Sequence, residues 1–446
     1  MKKAIFKLFF LAFIIIPPLI FIPGNFRGHW TFTQYREPKL ASLLILFWGM
    51  ATYFWYSLLK DYKKQLKQIV QSLTFLLLCL LSVYSLASAL WSEVPEAALY
   101  EGVQWITFTF MFCIFSCLFT EQKWLSLAIY SIIGIFGIVT IIGLTQTFID
   151  IPFLKPIPGT TIGSTFGSKN VCFLSLVSQF FLLIFVFWES TYKKQIIFVA
   201  ATGIIILLEI AYILISLSRT TYAAIMIGLF SLFLILFFIS SRNKRILVIK
   251  SSIIIGLGLC IISLLVCNIY PQKWHHVKIR ISKGIIPLIV NPTSYFYKTA
   301  RGQVIHDSFA MIKDNPFGVG AGNWIFKYPL YHHSIKKKSF NKKTQIQRVH
   351  NDYIQYLAEL GIPGFAAFMG LIIWQFVKLL HILLHHDQIN IYTKAFNICL
   401  LSQLMAVCVM LFFSFYLEFP YRKFLFVFLL TLIYNPHSDL FTPSEK

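Results

Sequence analysis

Apolar runs of about twenty residues, parted by short polar connectors, recur along almost the whole chain of 446 residues. About twenty such residues make a helix long enough to cross the hydrocarbon core of a bilayer. A helix also keeps its own backbone hydrogen-bonded there, where no water can. The pattern predicts twelve spans, at roughly 4–22, 40–59, 69–91, 98–119, 124–149, 169–188, 195–216, 220–240, 246–269, 361–380, 391–417 and 421–435. Glu101 interrupts the fourth, and the last is short. The first run follows Met1-Lys2-Lys3 as a secretory signal would, but it lacks a small-residue cleavage site and reads as a span.

One stretch, from Arg301 to Gly364, departs from this rhythm. After Arg301, Val304, Ile305, Phe309 and Ile312 are spaced as one helical face, and Asp314-Asn315-Pro316 stops it. The glycine run Gly318-Val319-Gly320-Ala321-Gly322 follows. No strand–turn–helix surrounds it, so it reads as tight turning beside a lipid substrate rather than a nucleotide loop. Farther on, Asn351 suits the cap of a helix that opens at Asp352, where an acid suits the helix dipole. Gly361 and Pro363 break that helix. Tyr353, Leu357 and Leu360 give it an apolar stripe fit for the outer membrane interface. The chain thus divides into spans over 1–269, a large loop with short helices over 270–360, and further spans over 361–446. This is an all-α, polytopic membrane architecture.

Composition adds the exclusions. With 57% hydrophobic residues, 13% charged and a mean hydropathy of +0.72, the chain is no water-soluble domain; such domains carry about 25% charged residues. The net charge of +22 sits in loops between spans. Anionic lipid head groups or a phosphorylated substrate are therefore the expected partners, not nucleic acid. Lys2, Lys3 and Lys7, then Lys60, Lys63, Lys64 and Lys67, then Lys193, Lys194, Arg242, Lys244 and Arg245 mark one side as cytoplasmic. Arg27, Arg36 and Lys39 go against that rule. Both termini then face the cytoplasm and the large loop faces outward. From 270 to 350 it carries fourteen Lys or Arg against Asp307 and Asp314, a charge that suits an anionic, lipid-linked ligand. All eight cysteines lie in apolar runs, so neither a structural disulfide in the loop nor a thiolate metal site is expected.

The candidates for chemistry lie at the outer face. His350, at the start of the Asp352 helix, is either a polar residue closing a loop or a general base, the usual role of a neutral imidazole. Arg219, at the junction of spans seven and eight, is either a snorkelling arginine or a ligand for an anion. Arg301 shares their side. Glu209, inside the seventh span, has no assigned role beyond pairing with a cation. His332-His333 and His385-His386 lack the carboxylates and the i, i+4 partners of a zinc site, so no metal is expected.

Three pieces, in order, resemble the O-antigen ligase and polymerase superfamily of bacterial envelope glycosyltransferases. They are Ser218-Arg219, Arg301 leading into Asp314-Asn315-Pro316-Phe317-Gly318-Val319-Gly320, and His350-Asn351-Asp352-Tyr353 followed by Glu359-Leu360-Gly361-Ile362-Pro363-Gly364. A softer fourth is Gly163-Ser-Thr-Phe-Gly167-Ser-Lys-Asn170. The resemblance implies a GT-C fold in the bacterial inner membrane, with the active site periplasmic. It implies a glycan donor on undecaprenyl pyrophosphate and a metal-independent, inverting transfer without a cofactor. On these positions His350 is the base, and Arg219 and Arg301 hold the pyrophosphate. Asn351, Asp352, Gly318, Gly320 and Asn170 join them in substrate contact. Length, span count and the single large loop favour a ligase acting on lipid A–core over a repeat-unit polymerase or a protein glycosylator. A transporter would spread ionisable residues through the midplane of broken helices, whereas here they gather at one face.

Overall fold

A computed structural model of the chain describes residues 2–22, 32–149, 151, 154, 163–216, 218–239, 300–332, 348–385 and 390–435. The predicted span 246–269, the basic residues of 240–299 and 333–347, and Arg27, His333 and His386 lie outside the described residues. Within them the chain is helical: α1 (Lys2–Leu19), α2 (Phe32–Ser57), α3 (Leu59–Val70), α4 (Leu73–Ala87), α5 (Pro95–Leu118), α6 (Gln122–Phe148), α7 (Lys169–Tyr192), α8 (Ile196–Ser216), α9 (Arg219–Ile239), α10 (Ala300–Asp314), α11 (Trp324–Lys327), α12 (Asp352–His385), α13 (Ile391–Phe413) and α14 (Pro420–Tyr434). Eleven of the twelve predicted spans fall on these helices. Nine of the helices are long and apolar enough to cross a membrane. The protein is an all-α polytopic membrane protein.

The bundle is wound around α14. Residues 420–433 of this helix are buried on every side, as expected of an apolar helix at the centre of a bundle. It packs on α5, α2, α7 and α13, while α13 in turn lies along α9 and α7. Leucines, isoleucines and phenylalanines of α8 and α9, such as Leu207 and Phe230, point outward, the surface a bilayer covers. At 15 residues α14 is about 22 Å long, shorter than a full crossing.

Several predicted boundaries move, each for a local reason. The second span starts at Phe32 rather than 40, and Arg36 and Lys39, two of the three charges that broke the orientation rule, lie within it with partners in the protein. Lys39 Nζ donates to the carbonyls of Pro18 (2.9 Å) and Ile20 (2.8 Å). A cation there satisfies the orphan acceptors at the end of α1. The connector expected at 60–68 is the amphipathic helix α3, with Tyr62 and Ile69 buried and Lys60, Lys63, Lys64 and Lys67 exposed. Proline at the first turn starts both α5 and α14. The eleventh span ends at Phe413, not 417, because the chain turns extended at Ser414. Glu101 is matched across the bundle by Lys423, and Glu209 pairs with the amide of Gln179 at 2.7 Å rather than with a cation.

Candidate functional site

The first turn of α12 is tied to the link 414–419 between α13 and α14. The Asn351 side chain accepts from the Ile354 amide at 3.1 Å, and the Asn351 carbonyl accepts from Gln355, so Asn351 is the helix cap. Asp352 Oδ2 accepts the backbone N–H groups of Tyr416 (2.7 Å) and Leu417 (3.2 Å). Those two bonds draw the chain out of α13 at Ser414. The Phe415 carbonyl in turn accepts from Nη2 of the fully buried Arg422 at 2.7 Å.

His350 sits at the junction. Its φ of +61° is left-handed, a conformation worth about 1–3 kcal/mol of strain in a residue other than glycine. Its ring meets Phe415 edge to face, with centroids 4.9 Å apart. The Arg348 guanidinium lies over the same ring at 5.3 Å and reaches Glu418 Oε1 at 2.7 Å. Arg36 approaches the same carboxylate at 3.7 Å. Burial, reinforced by the charges of Arg301 and Arg348, pushes His350 down to about 4. The imidazole is therefore neutral at physiological pH, with a ring nitrogen able to accept a proton. Burial alone would raise Glu418, but Arg348, Arg36 and Lys423 hold it below its ordinary value.

The glycine turn packs on the break in α12. At Gly361 the backbone leaves helical geometry (φ 61°, ψ −167°). The amides of Val319 and Gly320 donate to the carbonyls of Ala358 (3.0 Å) and Glu359 (2.8 Å), and Ile362 donates to Pro316 (2.9 Å). A Cβ on Gly318, whose φ is +85°, would stand 2.3 Å from the Glu359 carbonyl oxygen, so only glycine fits. Two stretches far apart in sequence are thus one unit, and Trp91 and Ser88 hold its other side by bonds to Gly318 and Ala321. The stripe expected on α12 lies inside the protein rather than at its edge: Leu360 is buried and Tyr353 hydrogen-bonds the Cys408 carbonyl. On α10 the inward residues are Val304, Ser308 and Met311, while Phe309 is exposed. Asp307, on the same face, accepts from Tyr328 and lies 2.7 Å from Nδ1 of His332. His332 therefore has a carboxylate neighbour that the sequence did not disclose, and His385 stacks on His381 one turn away. Among the described residues no group of three or more His, Cys, Asp or Glu is placed to hold a metal.

The structure brings the expected residues to one end of the bundle. Arg301, in the first turn of α10, is exposed and close enough for its charge to act on His350. Arg219 opens α9 and is exposed. Beside it Ser218 donates to Asn170 at 3.4 Å, and Thr220 donates to the Phe413 carbonyl at 3.4 Å. Arg219 and Asn170 therefore lie near Phe413, and His350 against Phe415, two residues on. Gly318 and Gly320 are spent on the docking of their loop.

Next to His350, between its chain neighbours Arg348 and Asp352, opens a cavity of about 470 Å³. Glu96, Glu101, Asp352, Glu359 and Glu418 line it, with Arg36, Arg348 and Lys423. Sequence reasoning missed this cluster. Its signals were Glu101 inside an apolar run, Arg36 in a connector, and the pair Arg422-Lys423 in the last span, which drew no comment.

Residues 203–369 match the family model described as O-Antigen ligase. The match runs from α8 through α9 and α10 to the first half of α12, and so includes Arg219, Arg301, Gly318, Gly320 and His350. No curated protein matches the chain significantly. That stretch of the chain is similar to the O-antigen ligase family.

Proposed function

We propose that this O-antigen-ligase-type protein transfers a glycan from undecaprenyl pyrophosphate to the lipid A–core oligosaccharide. The reaction takes place at the periplasmic face of the bacterial inner membrane, on a GT-C scaffold. The family match supports glycan transfer of the ligase or polymerase type in general. The observation that carries the finer reading is a neutral imidazole beside cations. His350 is held against Phe415 with its pKa driven down, while Arg301 acts on it from an exposed position.

The chemistry balances without a bound cation. An acceptor hydroxyl attacks the anomeric carbon of the donor, and His350 takes the hydroxyl proton. The bond from that carbon to the pyrophosphate oxygen breaks, and undecaprenyl pyrophosphate leaves. Attack opposite the leaving group inverts the anomeric centre. Arg219 and Arg301 meet the charge that develops on the leaving oxygens, where planar, permanently charged guanidinium groups suit phosphate. Asn351 and Asp352 act by fixing the helix start that presents His350, and Gly318 and Gly320 by shaping the loop beside it. Asn170 supports the Arg219 turn through Ser218. The catalytic segment is the stretch 270–360 of the sequence, between the two sets of spans.

A strain lacking the protein tests the reading. It should accumulate long glycan on undecaprenyl pyrophosphate while its lipid A–core stays bare. Core that carries a single repeat would instead make the protein a polymerase.

A further inference from the structure

A single residue, Leu58, separates α2 from α3, and two, Gln71 and Ser72, separate α3 from α4. Both neighbouring helices are long and apolar enough to cross a membrane. The stretch Leu73–Leu90 that crosses with α4 has 18 residues. That is about 27 Å of helix, with nothing to spare for a hydrocarbon core of about 30 Å. Leu73 therefore starts at the membrane boundary. The end of α2 lies there too, where Trp55 and Tyr56 are exposed as interfacial aromatics are. With both ends fixed, α3, 12 residues and about 18 Å long, lies along the boundary rather than standing out from it. This is the end of the bundle opposite His350. Tyr53, near the end of α2, donates to the Lys2 carbonyl, whereas Arg36, at the start of α2, reaches Glu418.

The inward face of α3 is already used by the protein. Tyr62 and Ile69 are buried, the helix packs on α5, and the Tyr62 hydroxyl donates to Glu121. The outward face carries Lys60, Lys63, Lys64 and Lys67, all exposed. They stand three and four residues apart, where like charges on a helix repel. The one acid on the helix is Asp61, in its first turn. Glu121 is taken by Lys3 at 3.7 Å and Lys123 at 2.6 Å. Among the described residues none of the four lysines makes an ion pair. A row of unmatched cations held along a bilayer boundary is complementary to phosphodiester head groups.

We propose that the outward face of α3 docks on anionic phospholipid head groups, of the phosphatidylglycerol class, at the membrane surface opposite His350. The four lysines supply the charge, and the spans on either side hold them at head-group depth. The inference is independent of the transfer reading.

Lipid retention tests it. The full chain is reconstituted in nanodiscs of equal phosphatidylcholine and phosphatidylglycerol, and the lipids that stay bound are counted by native mass spectrometry. Retained phosphatidylglycerol should exceed phosphatidylcholine by at least about fivefold, the worth of one lysine at an anionic surface. A prior wash in about 0.5 M salt should shrink the excess. Lys60→Gln, Lys63→Gln, Lys64→Gln and Lys67→Gln combined should remove most of it, and arginine at the same four positions should preserve it. Lys60→Gln alone should remove part, which keeps the test open should the fourfold variant not fold. Lys313→Gln with Lys327→Gln, at the other end of the bundle, should leave it intact. Equal retention of the two lipids by the parent, an excess that survives the glutamine variants, or one lost equally in the Lys313 and Lys327 variant would overturn the proposal. Displacement of the retained lipid by soluble glycerol 1-phosphate would also overturn it, since the site would then be one for free phosphate.

Discussion

Two sets of cations share one end of this bundle and live under opposite conditions. Arg36, Arg348, Arg422 and Lys423 are drawn inside, onto Glu418, the Phe415 carbonyl and Glu101. Arg219 and Arg301 stand exposed at the first turns of α9 and α10. Residue type does not separate the two sets; burial does. The inner set holds the 414–419 link in place, and the link holds His350. The outer set is exposed at the first turns of two helices, within reach of an anionic substrate.

The sharpest way to break this division is to strand a buried charge. Lys423 is 1% exposed, and Lys423→Met leaves Glu101 without its cation. Removing one partner of a buried pair typically costs about 3–5 kcal/mol, so thermal unfolding in detergent should shift down by many degrees. A variant as stable as the parent would show that the inner set does not hold the fold.

The outer set should behave in the reverse way. Arg219→Ala and Arg301→Ala, at exposed positions, should lower the unfolding temperature far less than Lys423→Met, yet weaken binding of the lipid pyrophosphate by about tenfold or more. Lysine at either position keeps the charge but loses the planar fork, and should restore only part of that binding. Donor affinity equal to the parent in both alanine variants would reduce these arginines to snorkelling side chains.

A smaller effect lies in pH. The folded state holds His350 near 4, against an ordinary value of about 6.5 in an unfolded chain. Below about pH 6.5 the unfolded chain takes up a proton that the folded protein refuses, so this group subtracts stability as pH falls toward 4 and has no effect above 6.5. Activity should accordingly persist through pH 6 and fall only as pH approaches 4. An acid limb centred at 6.5, lost in His350→Ala, would place the imidazole in water rather than against Phe415.

Much of this was legible in the sequence because it is local. Span positions follow from the length of apolar runs, the Asn351 cap and the Gly361 break from residue type, and the end of α10 from Asp314-Asn315-Pro316. What escaped is non-local. Hydropathy absorbed Tyr416 and Leu417 into a span, and nothing in the sequence says that their amides belong to Asp352. Lys39 broke the orientation rule on paper because its acceptors, the last carbonyls of α1, are 21 and 19 residues away. Phe309 fitted the spacing of a buried face, yet Asp307, Ser308 and Met311 take that face because Tyr328 and Trp324 meet it with hydrogen bonds. The acid-lined cavity needed six separate segments to come together before it existed.

The most direct test of the central claim is single-turnover transfer by His350→Ala, with donor affinity measured in parallel. The transfer rate should fall by about 10²–10⁴, the worth of general-base catalysis, while the lipid pyrophosphate binds as tightly as to the parent. Transfer at the parental rate would remove His350 from the chemistry.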